Sequence, residues 1–184
     1  MERQRYYACI DMKSFFASVE CAERGLNPME AKLIVADESR GPGTICLAVS
    51  PKLKALGVKN RCRMFEVPGN LNYIVARPRM QKYIDYAAEI YGIYLDYMSK
   101  EDIYVYSIDE SFFDITDYLA VYHKSPKEYV KFLIDEIARR VHIPATAGVG
   151  TNLYLAKIAL DITAKHSPDR IGYLDEALFC ETLW

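Results

Sequence analysis

The sequence predicts an α+β fold: an antiparallel sheet with two long helices on one face, plus a small second subdomain. Three observations carry that expectation. Short β-type runs alternate with helical spacings from the N-terminus onward. Two stretches, 80–98 and 126–141, keep an apolar stripe at helical period. Residues 103–115, IYVYSI-DE-SFFDI, read as two strands around an acidic bend.

The elements follow in order. YYACID (6–11) is a strand, and FFASVECAER (15–24) has apolar residues at 15, 16, 19 and 22, a helical spacing ended by Gly25, Asn27 and Pro28. KLIVA (32–36) is a buried-type strand, DESRGPG (37–43) a turn-rich loop, and TICLAV (44–49) a further strand. PKLKAL (51–56) is a short helix with Pro51 at its start and Gly57 after its end, and LNYIVA (71–76) is a strand. The first long helix runs from Met80 to Met98, with its apolar face at 80, 84, 87, 88, 91, 95 and 98. The second runs from Pro126 to Val141 and packs through 129, 132, 133, 137 and 141. ATAGVG (145–150) is a strand, and Thr151 or Asn152 caps a helix to about Lys165. IGYL and DEALFCETLW supply a last strand and a short helix. Residues 37–77 would form a small basic lobe over the free face of the sheet.

At 184 residues the chain makes one large domain or two small ones, and at 51% hydrophobic and 26% charged it has ample material for a core. No apolar run approaches the ~18–20 residues of a membrane span, and the N-terminus lacks a signal-peptide pattern. A cytoplasmic protein without a membrane partner is expected. Five cysteines, at 9, 21, 46, 62 and 180, include no CxxC pair, which argues against a zinc cluster or a disulfide framework. Net charge is −2, yet nine Lys/Arg fall between Arg40 and Lys82 against one acid, Glu66. Such a basic stretch is compatible with a footprint for phosphates, although a solvated surface is the commoner cause of one.

Asp11 ends the first strand, and Asp109 and Glu110 sit at the hairpin bend, whose flanks lack the Gly or Asn of a tight turn. If that strand and hairpin are neighbours in the sheet, the three carboxylates meet at one end of it. Clustered anions raise one another's pKa, and divalent cations relieve the repulsion. Oxygen ligands of this kind suit Mg²⁺, which also takes phosphate oxygens of a substrate. Two such ions would activate a 3′-hydroxyl and stabilise a leaving pyrophosphate.

Four segments in order, DMKSFFASVE after a strand, AVSPKLKALGVKNRCRMFE, YSIDESFFDIT and GVGTNLYLAKIALDITAK, together resemble the palm and fingers of Y-family, lesion-bypass DNA polymerases of the UmuC/DinB type, nearest the UmuC-like UV-damage repair branch. The resemblance covers about residues 5–180. It implies a palm at 1–14 and 78–184 and fingers at 15–77, with thumb and little finger outside the chain. It also implies that Asp11, Asp109 and Glu110, with the Met12 carbonyl, hold two Mg²⁺, which Mn²⁺ replaces. Phe16 stands where the family places the steric gate that excludes a 2′-hydroxyl, with Phe15 beside it near the triphosphate. Lys157 matches the palm lysine that reaches the triphosphate. The implied partners are primer–template DNA and dNTP, together with a sliding clamp engaged through a region beyond residue 184. The implied setting is translesion synthesis in the SOS response to DNA damage.

The fingers helix departs from the family pattern. Pro51 stands at a position where many members carry Tyr, and Lys54 at one where they carry Arg. Lys54 supplies charge without a bidentate fork, and Ser50 is the expected substitute for the missing hydroxyl. Two other readings compete. A nucleotidyl cyclase uses a similar sheet and carboxylate pair but typically has Gly-Gly where this chain has Ser107-Ile108. A non-catalytic RNA-recognition-like module would display aromatics on the sheet face, where clustered carboxylates are out of place.

Overall fold

The structure, a computed structural model, describes residues 3–183. In chain order the elements are β1 (Tyr7–Met12), α1 (Phe15–Glu23), β2 (Leu33–Val35), β3 (Ala48–Val49), α2 (Pro51–Ala55), β4 (Ile74–Ala76), α3 (Met80–Leu95), β5 (Ile103–Val105), β6 (Glu110–Asp114), α4 (Thr116–Val121), α5 (Pro126–Val141), β7 (Ala145–Gly150), α6 (Leu153–Ile158), β8 (Ile171–Leu174) and α7 (Glu176–Thr182). The terminal residue of the expected last helix, Trp184, lies outside the described residues. The chain forms two compact units. The first contains residues 1–12, 89–140 and 145–184, and the second 13–88 and 141–144.

The first unit is built on a five-stranded sheet of order β5-β6-β1-β7-β8. Strand β1, apolar and buried at Ala8, Cys9 and Ile10, occupies its centre. Its pairings with β6 and β7 are antiparallel, as is β5 with β6, but β7 and β8 run parallel. The expected antiparallel sheet is therefore mixed at one edge. The reason is connectivity: residues 151–170 form a helical crossover, which returns the chain in the same direction.

Alternation divides β1 between the two faces of the sheet. On one face Phe113, paired with Ala8, meets Tyr94 of α3 edge to face with centroids 4.6 Å apart. On the other, Cys9 packs with Ala156 and Leu160 of the crossover, flanked by Tyr7 and Phe112. α5 buries Tyr129, Val130, Leu133, Ile134, Ile137 and Val141, close to the stripe its sequence predicts. The stripe expected on α3 is corrected except at Met98, which is buried just beyond the end of the helix. Met80, Ile84 and Leu95 are exposed, whereas Tyr83, Ile90, Ile93 and Tyr94 are buried. Two apolar rows run along this helix, and the buried one includes tyrosines whose rings fill the core.

The crossover also differs from the single helix expected to Lys165. It opens as α6, capped by Asn152, whose side chain accepts from Leu155 N at 2.8 Å. It then widens into a π-helical turn (Ala159–Thr163) and tightens into a 3₁₀ turn (Ala164–His166). Three glycines of the sheet lie directly beneath it. A Cβ on Gly148 would meet Ala156 O at 2.1 Å, one on Gly150 would meet Ala156 N at 2.4 Å, and one on Gly172 would meet Ala159 O at 2.2 Å. Backbone rests on backbone there, which only glycine permits.

The second unit has its own three-stranded sheet, β3-β2-β4, with β2 antiparallel to β3 and parallel to β4. Its core comprises Ile34, Cys46, Val49, Leu53, Val58 and Val67. The strands are shorter than the runs TICLAV and LNYIVA predict, because only their last residues pair within this sheet; Ile45 forms a separate bridge with Arg63.

Candidate active site

The carboxylates are positioned by strand register. Asp11 on β1 lies directly opposite Glu110 on β6, so both side chains project from the same face, the one that carries Cys9. Asp109 precedes Glu110 in the bend between β5 and β6. Its carbonyl accepts the Met12 N–H at 2.9 Å, which pins the end of β1 to the bend. The bend closes without Gly or Asn. Tyr106 and Ser107 both donate their N–H groups to the Glu110 carbonyl at 3.0 Å, and the Ser107 hydroxyl donates to Asp109 Oδ1 at 2.8 Å.

The electrostatics are those of crowded anions. Burial, and next the charges of Asp109 and Glu110, push the Asp11 carboxyl up to about 7, against a smaller opposing pull from Lys157. The Lys157 ammonium, carried on α6, lies 2.7 Å from Glu110 Oε1 and 3.3 Å from Asp161 Oδ1. Burial works against the ammonium, but the Glu110 hydrogen bond and the charges of Glu110 and Asp161 prevail and raise its pKa. The buried Cys9 thiol donates to the same Glu110 oxygen at 3.2 Å. Burial, then that hydrogen bond, push the thiol well above its ordinary range, so it stays protonated and donates. Glu110, itself only 8% exposed, thus has one oxygen shared between a cation and a neutral donor.

Among the described residues, no three His, Cys, Asp or Glu side chains are gathered as a ready-made metal cage. The donor set is all oxygen and carries an excess of negative charge that a divalent cation would relieve. On that chemistry the residues fit the ion.

The remaining expected residues lie in the second unit. Phe16 is partly exposed on α1, and its ring stacks on Tyr83 with centroids 4.4 Å apart. Lys54 is exposed in the last turn of α2. One expectation is corrected. The Ser50 hydroxyl is fully buried: it donates to Ala31 O at 2.7 Å, accepts from Leu33 N at 3.1 Å and caps α2 through Leu53 N at 3.4 Å. It joins helix to sheet and is not available to a phosphate. The Phe15 ring is buried, 3% exposed, with its centroid 5.9 Å from that of Phe16. The basic stretch is also less cationic than its composition suggests, because Arg79 and Lys82 pair with Glu20 and Glu23. Arg40 and Arg77 line an open depression with Ile45 and Leu47.

Sequence reasoning missed Cys9, Glu20, Tyr83 and the glycines under α6. The glycines had a visible signal, two of them in the strand AGVG just before a helix. The others are ordinary core residue types until their neighbours are known.

The sequence pattern of the impB/mucB/samB family matches residues 10–161. The chain is 35% identical over 187 residues to DNA polymerase IV 2 of Bacillus subtilis (strain 168), spanning 44% of that protein. It is 36% identical over 102 residues to the DNA repair protein homolog YozK of the same organism, of which it covers 89%. The fold matches the crystal structure of DinB from Sulfolobus solfataricus with a TM-score of 0.78 and 24% identity, over 97% of this chain and 50% of that one. Against the polymerase relative, then, the chain corresponds to less than half the length, and that part contains the strands, bend and crossover that assemble the carboxylates. The chain belongs to the impB/mucB/samB family, the Y-family of UmuC- and DinB-like proteins.

Proposed function

We propose that this chain carries the catalytic palm and fingers of a lesion-bypass DNA polymerase, which adds dNTPs to a primer 3′-hydroxyl on template DNA. The first unit corresponds to the palm and the second to the fingers. One observation carries the reading: Asp11 and Glu110 oppose each other in register beside Asp109, with the Lys157 ammonium already against Glu110. The names of the relatives, DNA polymerase IV 2 and the DNA repair protein homolog YozK, support it.

In this reading Asp11, Asp109, Glu110 and the Met12 carbonyl hold two Mg²⁺, with Mn²⁺ as a substitute. When bound, the ions make the primer hydroxyl a stronger nucleophile and stabilise charge on the leaving pyrophosphate. Lys157 exchanges Glu110 for the triphosphate and counters its charge. Lys54 adds a cation without a fork. Phe16 excludes the 2′-hydroxyl by overlap. The setting is the cytoplasm, in the SOS response to DNA damage; among the described residues no helix is long and apolar enough to cross a membrane.

Nucleotide binding titrated with Mg²⁺ or Mn²⁺ tests the reading, followed by primer extension with the full-length protein. Metal-dependent dNTP binding with extension is expected. A preference for ribonucleotides without extension would favour a cyclase, and metal-independent RNA binding a recognition module.

A further inference from the structure

The second unit contains a charge network around one buried carboxylate, with no evident catalytic use. Glu20, one helical turn after Phe16 on α1, has a fully buried side chain. Arg79 grips it with two hydrogen bonds, Nε to Oε1 at 3.0 Å and Nη2 to Oε2 at 2.7 Å. Arg24 bonds the same carboxylate and also donates to the Glu20 carbonyl at 2.9 Å. The Tyr83 hydroxyl donates to Glu20 Oε1 at 2.9 Å. The Tyr83 ring is wholly buried and lies nearly parallel to the Phe16 ring, 14° between planes. A buried ion pair is weak evidence for stability, since apolar packing of the same volume does as well. What the network does hold is position: it fixes Tyr83, and Tyr83 backs the ring of Phe16.

We propose that Tyr83, clamped by Glu20 and Arg79, is a positioning residue that sets the stringency of sugar selection by preventing the Phe16 ring from retreating. The proposal rests on the reading of Phe16 as the gate. A gate that works by overlap is only as strict as its support. A ring free to move back by a fraction of an ångström admits the extra oxygen, whereas a close-packed backing refuses it. Tyr83 supplies that backing through its face, and its hydroxyl bond to Glu20 keeps the face from tilting. The planar two-bond grip of Arg79 resists rotation of Glu20 in a way a lysine would not.

The test compares kcat/KM for dNTP and rNTP insertion by the full-length protein, in wild type, Phe16→Ala, Tyr83→Leu, Tyr83→Phe and Arg79→Lys. Tyr83→Leu should lower the dNTP/rNTP ratio about tenfold, the factor that ~1.4 kcal/mol of lost discrimination gives. The change should come from faster rNTP insertion. A merely destabilised enzyme would lose both rates together and keep the ratio. Tyr83→Phe, which keeps the ring and loses the bond to Glu20, should fall between wild type and Tyr83→Leu. Arg79→Lys, at a half-exposed position, should lower the ratio several-fold and decides the matter if Tyr83→Leu does not fold. An unchanged ratio in Tyr83→Leu or, failing that, in Arg79→Lys, while Phe16→Ala relaxes selection, overturns the positioning role and leaves the gate standing. An unchanged ratio in Phe16→Ala overturns the gate and the positioning role with it.

Discussion

The Lys157 ammonium lies 2.7 Å from Glu110 Oε1, so a helix residue neutralises a strand carboxylate 47 positions earlier in the chain. Three features of the fold make the contact. Glu110 begins β6 opposite Asp11. Ala156, the residue before Lys157, packs on Cys9, two positions before Asp11 on the same face. Glycines at 148 and 150 let that turn of helix lie against the sheet backbone.

Removing the cation should therefore expose a cost at Glu110. Lys157→Met keeps most of the stem's packing and leaves a nearly buried carboxylate without its charge partner. A loss of about 1–3 kcal/mol is expected, reduced by the lysine's own partial exposure. Added Mg²⁺ should narrow the gap between variant and wild type, because it supplies positive charge at the same carboxylates. Thermal unfolding with and without the ion measures both effects.

Asp11 makes stability depend on pH in a stated direction. Its folded pKa, about 7, stands above the ordinary carboxylate value of 3.8. The folded protein keeps a proton that the unfolded chain has released, so the residue's contribution is fullest below about pH 4 and is lost as pH rises through 7. Asp11→Asn abolishes this titration. The variant should gain in stability over wild type at pH 8 without metal, with the gain shrinking toward pH 4. Denaturant melts at the two pH values check it, and a constant difference between them would count against the crowded-anion account.

Asp109 is bonded through its carbonyl to Met12 and through its side chain to Ser107. Asp109→Ala keeps the first and loses the second, so the fold should survive with a cost near ~1 kcal/mol. Primer extension by the full-length protein should nevertheless fall by at least ~100-fold, the scale for losing an electrostatic contact made to the reacting groups. Circular dichroism alongside extension assays separates the two outcomes.

Gly148→Ala tests the seating of α6. The added methyl would stand 2.1 Å from Ala156 O and 2.2 Å from Leu160 N, both backbone atoms of the crossover. Backbone does not rotate away as a side chain would, so about 3 kcal/mol or more of destabilisation is expected, at the upper end for overpacking. Gly69→Ala, where nothing lies within 4 Å, should change little and serves as the control. Chemical denaturation of both variants measures the contrast.

The sequence by itself determined the type and order of most elements. β-type runs marked β1 and β6, helical spacing marked α1 and α5, and carboxylates at a strand end and a bend pointed to oxygen-ligand chemistry. Those are local properties, written in residue type and spacing. It did not determine which of two apolar rows on α3 is buried, because both have helical period and only packing chooses Tyr83, Ile90 and Tyr94 over Met80, Ile84 and Leu95. It also misjudged Ser50, whose hydroxyl reads as available until strand β2 closes over it through Leu33 and Ala31. The opposition of Asp11 and Glu110 is a matter of register between strands about a hundred residues apart, and the Glu20–Tyr83–Phe16 stack joins α1 to the start of α3. Such contacts are fixed by burial and geometry in three dimensions, where a one-residue slip of a strand would turn every one of its side chains to the other face.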